Sequence, residues 1–185
     1  MDAQAALDEI ISRKDTANPM SVNELRALAD RVDASVGNAT LLLFSGGVGE
    51  VVNANTGYRQ FDAKAIAETL ANGTTVKTIA DTEASKFLGS DILQDALQSA
   101  AKREGLSFER LLDGKDANGT RINNDSLWDK ASARLVNEHT GDFRLLMPNS
   151  PGNSVATDTE VPALLNKTAQ PGQKLNGVDL TVWQD

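Results

Sequence analysis

An apolar run that ends in glycines constrains the fold of this chain more than any other feature of its sequence. The run is "TLLLFSGGVGE", Thr40 to Glu50, in which four apolar residues lead directly into Ser45 and two glycines. A continuous apolar block is typical of a strand covered on both faces, as in a parallel sheet. Because ligands of open α/β sheets bind at the carboxyl ends of the strands, the run predicts a buried strand followed by a candidate phosphate site.

The two commonest glycine motifs for nucleotides are absent from this run. A dinucleotide fingerprint needs three glycines that lead into a helix. Here Gly47 and Gly49 are followed by Val52 at the third position, and no helix is predicted before about Phe61. A P-loop needs Gly-Lys-Ser or Gly-Lys-Thr at its end, and the run has neither. A strand-end turn that uses glycine only for its backbone conformation therefore stays open as an alternative.

The rest of the chain alternates helical and strand patterns. Residues 3–14 have the apolar spacing of a helix, and Ser21 with Glu24 forms a capping-box pattern at the start of a second helix. Further helices are predicted over residues 61–70, 90–103 and 127–139, and further strands over residues 74–79, 142–147 and 178–183, with a hairpin turn at Asn176-Gly177. The pattern predicts an α/β fold in one compact domain: a helical N-terminal part, residues 1–38, packed on a small, mostly parallel sheet flanked by helices in residues 39–185.

Composition excludes several classes of site. The chain has no cysteine and a single histidine, His139, so we expect no disulfide, no thiol catalysis and no metal site. His139 lies at the end of a predicted helix, where it would interact favourably with the helix dipole. The loop of residues 113–125 is acidic and glycine-rich but lacks the spacing of a calcium loop, which predicts a plain surface loop.

Charge and hydropathy bear on partners and location. The formal net charge is -8 and Lys and Arg form no cluster, so we expect no nucleic-acid partner. The longest apolar block is too short to span a bilayer, which predicts no membrane segment. The N-terminus, "MDAQAALDEIISRK", lacks the basic and apolar regions of a secretory signal peptide. The absence of cysteine suits a cytoplasmic protein, or an exported one that crosses membranes unfolded.

Three patches of sequence follow one another in an informative order: "LLFSGG" at residues 42–47, "GTTVKTIADT" at residues 73–82, and "LWDKASARLVNEHTGDFRLLM" with "NSVATDTEVPALL" within residues 127–165. In content and order they resemble the ADP-ribosyl cyclase / NAD glycohydrolase family, and above all its cysteine-free bacterial relatives, which are polymorphic-toxin domains. The resemblance implies hydrolysis of NAD to nicotinamide and ADP-ribose by a bacterial toxin or effector that depletes NAD. It also implies NAD as the substrate with no cofactor, a cognate immunity protein, and secretion or delivery into a target-cell cytoplasm without an N-terminal signal peptide.

The resemblance assigns roles to individual residues. Glu160, in "TDTEVPALL", falls at the family's catalytic glutamate. Trp128 falls at the tryptophan that stacks on nicotinamide, and Ser132 lies one helical turn further, at the family's serine. Ser45 falls at the serine that binds the phosphates. Without the resemblance, Glu160 fits a solvated loop carboxylate and Trp128 fits a core residue.

Other substrate-binding positions match the family less closely. Phe44 stands where the family usually has tryptophan, so a shorter aromatic wall is expected there. The turn Gly46-Gly47 replaces the family's basic residue, and its backbone N–H groups are the alternative phosphate donors. Asp81 matches the aspartate of the second patch, but the glutamate before it is replaced by Ala80, or by Lys77 in a shifted alignment.

The residues suit the chemistry that the resemblance implies. Nicotinamide leaves as a neutral molecule, so cleavage needs no general acid, only a carboxylate near the positive charge that develops on the ribose. The departures at Phe44 and Ala80 favour an open, wet site and hence linear ADP-ribose, with Glu83 as the residue one turn away that could compensate. The alternatives are an ADP-ribosyl cyclase, an ADP-ribosyltransferase, or a catalytically silent NAD-binding or interaction module.

Overall fold

The structure, a computed structural model, describes residues 1–45, 48–53, 57–147 and 154–184, with the side chains of residues 48–53 and 57–64 left aside. The helices are α1 (Ala3–Lys14), α2 (Val22–Arg31), α3 (Ala63–Leu70), α4 (Glu83–Leu88), α5 (Asp91–Glu104), α6 (Phe108–Asp113), α7 (Leu127–Glu138), α8 (Val161–Asn166) and α9 (Thr181–Gln184). The strands are β1 (Thr40–Phe44), β2 (Val48–Asn53), β3 (Gly57–Asp62), β4 (Val76–Lys77), β5 (Phe143–Leu146), β6 (Lys174–Leu175) and β7 (Val178–Asp179).

The chain forms two compact units, each assembled from two stretches. The first unit comprises Met1–Ser35 and Ile79–Leu135, and the second comprises Val36–Thr78 and Val136–Asp185. The predicted boundary at residue 38 lies close to the end of the first stretch. The sequence pattern does not indicate that residues 79–135 return to the helical unit, because helical periodicity reports local structure and not which helices pack together.

The first unit is helical, and its two N-terminal helices, α1 and α2, begin where the sequence predicts. Ser21 Oγ accepts from the backbone N of Glu24 at 3.2 Å, while the Glu24 carboxylate accepts from the backbone N of Ser21 at 2.9 Å. This reciprocal capping box starts α2 and is worth about 1 kcal/mol. Leu25 and Leu28 of α2 are fully buried. The predicted capping box and helix of residues 3–14 are therefore confirmed.

The second unit contains a five-stranded, mostly parallel sheet flanked by helices, in the order β4-β1-β5-β6-β7. Strand β1 pairs in parallel with β4 on one side and with β5 on the other, and β5 pairs in parallel with β6. Strand β7 is antiparallel to β6. The successive residues Leu41, Leu42 and Leu43 of β1 are all buried. Both faces of β1 are therefore covered, as the continuous apolar run predicts.

The C-terminal hairpin is confirmed at its turn but not in its length. Asn176 and Gly177 have φ of 51° and 83°, the pair of positive values that a type I′ turn requires. The predicted strand over residues 178–183 is wrong, because β7 ends at Asp179 and α9 begins at Thr181. The Asp179 carboxylate accepts from the backbone N and from Oγ1 of Thr181, at 3.0 and 2.6 Å, which starts a helical turn there.

Residues 48–81 depart most from the sequence-based expectation. The antiparallel pair β2 and β3 is absent from the predicted elements, and the helix predicted from residue 61 begins at Ala63. Of the strand predicted over residues 74–79, only β4 forms. Asn72 Oδ1 accepts from the backbone N of Thr74, Thr75 and Val76, and these bonds hold the preceding residues in a turn. A 3₁₀ turn, Ile79–Asp81, follows.

The helix α6 is also absent from the predicted elements, although Ser107 caps it through a bond from the backbone N of Arg110 at 3.2 Å. Of the helices that the structure describes, none has the length and apolar character needed to cross a membrane.

Candidate functional site

The sheet of the second unit has a topological switch point beside its central strand. From β1 the chain goes to β4 on one side, and from β5 it goes to β6 on the other side. The carboxyl ends of the neighbouring strands β1 and β5 therefore lie where the connections diverge. Ligands of open α/β sheets bind outside the strand ends at such a point, so this edge is the candidate site.

Ser45 lies at this edge with a buried hydroxyl. It follows directly after β1, and its backbone N donates to the carbonyl O of Leu146 in β5 at 3.3 Å. The residue is 3% exposed, and within the described part of the chain its Oγ has no hydrogen-bond partner. A buried polar group without a partner costs roughly 1–3 kcal/mol. A hydroxyl kept at such a cost, at a switch point, fits a donor to a bound ligand.

Glu160 belongs to the same unit and is buried. It is the last residue of a π-helical turn, Ala156–Glu160, that lies against β1. The residue is 6% exposed, so it is not the solvated loop carboxylate that the sequence alone allows. A buried carboxylate is costly unless other groups stabilise it. On a turn that lies against β1, it has the chemistry to oppose a positive charge that develops on a substrate.

The remaining predicted residues of the second unit lie around the end of β1. Phe44 is its last residue and is half-buried. Gly46 and Gly47, which are predicted to bind phosphate through their backbone, lie outside the described residues. The structure thus brings Phe44, Ser45 and Glu160 into one unit, the last of these on a turn packed against the strand that carries Phe44.

Asp81, Trp128 and Ser132 belong to the first unit. Asp81 is exposed at the end of the 3₁₀ turn. Trp128 is half-buried in the first turn of α7, and Ser132 is buried one turn further along the same helix. The partial exposure of Trp128 differs from that of a residue fully enclosed in a core. Its role stays a prediction.

The first turn of α7 is held by a buried network that sequence reasoning overlooked. Ser126 Oγ accepts from the backbone N of Asp129 at 3.2 Å, and the Asp129 carboxylate accepts from the backbone N of Ser126 at 3.1 Å. The guanidinium of Arg121 pairs with the same carboxylate, and both side chains are buried. The capping box was detectable as "SLWD", whereas no spacing rule indicates the ion pair. Together these bonds fix the backbone on both sides of Trp128.

Glu83, the possible substitute for the family's missing glutamate, has structural partners in the first unit. Its carboxylate accepts from the backbone N of Ala3 at 2.9 Å and from Lys86 Nζ at 2.5 Å. The Lys86 ammonium first, and then the Ala3 N–H, lower the pKa of Glu83. These contacts tie α4 to the start of α1.

A second buried polar cluster lies at the opposite, amino end of β5. His139 Nε2 donates to the carbonyl O of Asp142 at 3.1 Å, and its ring meets Phe143 edge-on at 4.8 Å. Burial lowers the pKa of His139, with the Lys167 ammonium adding to the effect. Desolvation thus disfavours the charged form of the imidazole. The favourable interaction of His139 with the helix dipole stays a prediction.

Lys167 and Gln173 complete this cluster, and neither stands out in the sequence. Lys167 Nζ donates to the carbonyl O of His139 at 2.5 Å and to Gln173 Oε1 at 3.3 Å, and lies 4.9 Å from the Phe143 ring centre. Gln173 Nε2 donates to the carbonyl O of His139 at 3.2 Å and of Gly141 at 2.6 Å. The cluster joins the end of α7 to the segment before β6.

In the described ranges there is no group of three or more His, Cys, Asp or Glu side chains arranged to hold a metal ion. Comparison of the chain with protein-family models, with curated proteins and with solved structures finds no match. The function is therefore inferred from the residues and geometry of the site itself.

Proposed function

We propose that this protein cleaves NAD to nicotinamide and linear ADP-ribose, with Glu160 as its catalytic carboxylate. The observation that carries the proposal is the burial of Glu160 on a turn that lies against β1. The strand β1 leads at the switch point into a buried serine hydroxyl that has no partner among the described residues. A carboxylate and a hydroxyl donor are the two groups that a dinucleotide glycohydrolase needs for ribose and phosphate.

The carboxylate acts on the bond that breaks. As the bond between C1′ and the nicotinamide nitrogen lengthens, its electron pair moves to the pyridinium ring, and positive charge develops on the ribose. Glu160, held in a low-dielectric setting, stabilises that charge, an effect worth roughly 3–4 kcal/mol for one preorganised group. Water then bonds to C1′ and loses its proton to solvent, which gives ADP-ribose. Neutral nicotinamide needs no proton in order to leave.

The serine acts on the part of the substrate that does not react. Ser45 Oγ donates to a phosphate oxygen and thereby gains the partner that it lacks among the described residues. In this proposal the N–H groups of Gly46 and Gly47 add donors for the phosphates. The resemblance alone assigns the ring contacts to Phe44 and Trp128 and further substrate contacts to Asp81 and Ser132. Binding energy collected at the phosphates holds C1′ in position for cleavage.

The wider assignment belongs to the same proposal. The fold is of the ADP-ribosyl cyclase type, and the protein is a toxin or effector that depletes NAD in the cytoplasm of a target cell. A cognate immunity protein protects the producer. Support comes from the order of the three sequence patches and from the buried carboxylate on a turn against β1.

The test is incubation of the purified protein with NAD, followed by chromatography of nicotinamide, ADP-ribose and cyclic ADP-ribose. We expect equal amounts of nicotinamide and linear ADP-ribose, and loss of both products in Glu160→Gln. Glu138→Gln is the matched control, because Glu138 is an exposed glutamate at the end of α7. Intact NAD after incubation with the wild type would refute the proposal, and cyclic ADP-ribose as the main product would replace hydrolysis by cyclisation.

A further inference from the structure

The helix that carries Glu160 changes its hydrogen-bonding pattern just before Pro162. At the start of this helix the backbone N of Asp158 donates to the carbonyl O of Ser154 at 2.9 Å, an α-helical i→i−4 bond. Three residues later the backbone N of Val161 donates to the carbonyl O of Ala156, a π-helical i→i−5 bond. The wider turn is therefore local. Single π turns inside α-helices occur frequently at functional sites.

Pro162 accounts for the position of this π turn. Proline has no N–H, and in a helix its ring collides with the carbonyl four residues earlier, which here belongs to Asp158. Pro162 occupies the second position of α8, where proline would be tolerated at a true helix start. The chain before it is already helical, however, since Glu160 has φ -70° and ψ -47°. The π turn widens the helix where the proline ring needs space.

After the proline the helix returns to α-helical bonding, as the bond from Lys167 N to Ala163 O at 2.9 Å shows. An i→i−5 bond encloses one more residue than an i→i−4 bond, so the π turn rotates Glu160 relative to its direction in a continuous α-helix. In the observed arrangement Glu160 is buried, whereas Pro162 is exposed. The ring of Pro162 thus affects Glu160 through the backbone.

We propose that Pro162 is a positioning residue that sets the direction of the Glu160 carboxylate by enforcing the π turn. The inference rests on the proposed function for its catalytic consequence. It adds a residue that the resemblance to NAD glycohydrolases does not assign. The proline makes no contact with substrate in this proposal. It supplies the backbone geometry in which the carboxylate stays inside the unit.

The test replaces Pro162 by alanine, with Pro171→Ala as the matched control. Pro171 is an exposed turn proline of the same unit. In Pro162→Ala the new amide can donate to the carbonyl of Asp158, so we expect the helix to become α-helical throughout. Alanine is the best helix former, and we expect the variant to unfold at no lower denaturant concentration than the wild type. Pro162→Gln is a second variant at this exposed position, should the alanine variant fold poorly.

Three measurements show how Pro162→Ala changes the helix, the Glu160 carboxyl group and catalysis. The amide at position 162 should be protected from hydrogen exchange, and the carboxyl ¹³C resonance of Glu160, assigned from its absence in Glu160→Gln, should move. In NAD cleavage we expect kcat to fall by roughly 10- to 100-fold, with KM little changed. If the role of the proline were purely structural, the resonance of Glu160 would not move. A fall in kcat with an unchanged KM would then not be seen.

An unmoved Glu160 resonance in Pro162→Ala, or a wild-type kcat in a variant whose resonance has moved, would overturn the inference. Wild-type protein that cleaves no NAD would refute the proposed function instead. In that case the exchange of the new amide and the Glu160 resonance still decide whether the proline sets the position of the carboxylate. Pro171→Ala should match the wild type in every measurement.

Discussion

Two buried polar regions lie at opposite ends of the parallel strands, and they differ in how their hydrogen bonds are satisfied. At the amino end of β5, the side chain of Gln173 donates to two carbonyl groups and accepts from Lys167 Nζ and from the backbone N of Gln170. At the carboxyl end of β1, Ser45 Oγ has no partner among the described residues. A fully bonded cluster stabilises the fold. An unpartnered buried hydroxyl is a cost that a ligand can remove.

The contrast divides the unit into an end that maintains structure and an end that is available for binding. Glu160 lies in the same unit, on a turn against β1, and the proposed function assigns it to the second of these ends. Substitutions at the two ends should therefore affect different measurements. Those at the amino end should lower the free energy of unfolding, and those at the carboxyl end should lower catalysis or affinity and leave unfolding almost unchanged.

The largest effect is expected for Glu160→Gln. If the carboxylate opposes the charge on the ribose, its neutral isostere should reduce kcat for NAD cleavage by about 10²–10³-fold or more. The free energy of unfolding in urea should stay near that of the wild type, because the amide preserves the size of the side chain. A folded Glu160→Gln protein with near-wild-type turnover would remove Glu160 from the mechanism.

The next effect is expected at the opposite end, for Gln173→Leu. Leucine fills a similar volume but leaves the carbonyl of Gly141 without its donor and Lys167 with one acceptor fewer. Unsatisfied buried groups of this kind should lower the free energy of unfolding by roughly 2–4 kcal/mol. Urea denaturation measures the loss, and Gln170→Leu is the matched control because its side chain is exposed. Equal free energies of unfolding for the two variants would mean that the hydrogen bonds of Gln173 do not stabilise the fold.

Ser45→Ala should have a smaller effect than Gln173→Leu, and it should raise the free energy of unfolding where Gln173→Leu lowers it. In the described part of the chain this buried hydroxyl has no partner, so its removal abolishes a desolvation cost. The variant should therefore be as stable as the wild type or more stable by up to about 1 kcal/mol. Affinity for NAD should fall, seen as a several-fold higher KM. A marked loss of stability would show that the hydroxyl has a structural partner. The carboxyl end of β1 would then maintain structure, as the amino end of β5 does.

The sequence predicted those features that depend on neighbouring residues. The Ser21–Glu24 capping box, the covered strand at Leu41–Leu43 and the turn at Asn176-Gly177 were all predicted, because each follows from local chemistry. The strands predicted over residues 74–79 and 178–183 were too long. There Asn72 and Asp179 bond to nearby backbone groups and compete with the sheet.

The candidate site was predictable in its residues but not in its geometry. The end of β1 follows from the run of apolar residues into Ser45. The burial of Glu160 depends on a helical turn that packs against a strand more than a hundred residues earlier. The bonds of Gln173 likewise join segments that are 32 to 34 residues apart. No spacing rule connects such partners, so only the folded chain reveals them.

The smallest expected effect concerns the protonation of His139. Burial lowers the pKa of His139 from its ordinary value of 6.5. Below pH 6.5 the unfolded chain therefore binds a proton that the folded chain does not, and stability rises with pH wherever the unfolded state binds more protons. The contribution of His139 is thus fully present above pH 6.5 and is lost as the pH falls toward the lowered pKa. Asp142 opposes the shift and Lys167 adds to it.

We expect His139→Gln to flatten the dependence of the unfolding free energy on pH between about pH 5 and pH 7. Glutamine keeps a donor for the carbonyl O of Asp142 but does not titrate. Because His139 is the only histidine in the chain, the difference in slope between wild type and variant isolates this one group. Urea denaturation at several pH values measures both slopes. Parallel slopes would mean that His139 takes up its proton as readily in the folded protein as in the unfolded chain. The amino end of β5 would then be open to protons, contrary to the closed, hydrogen-bonded cluster that distinguishes it from the end of β1.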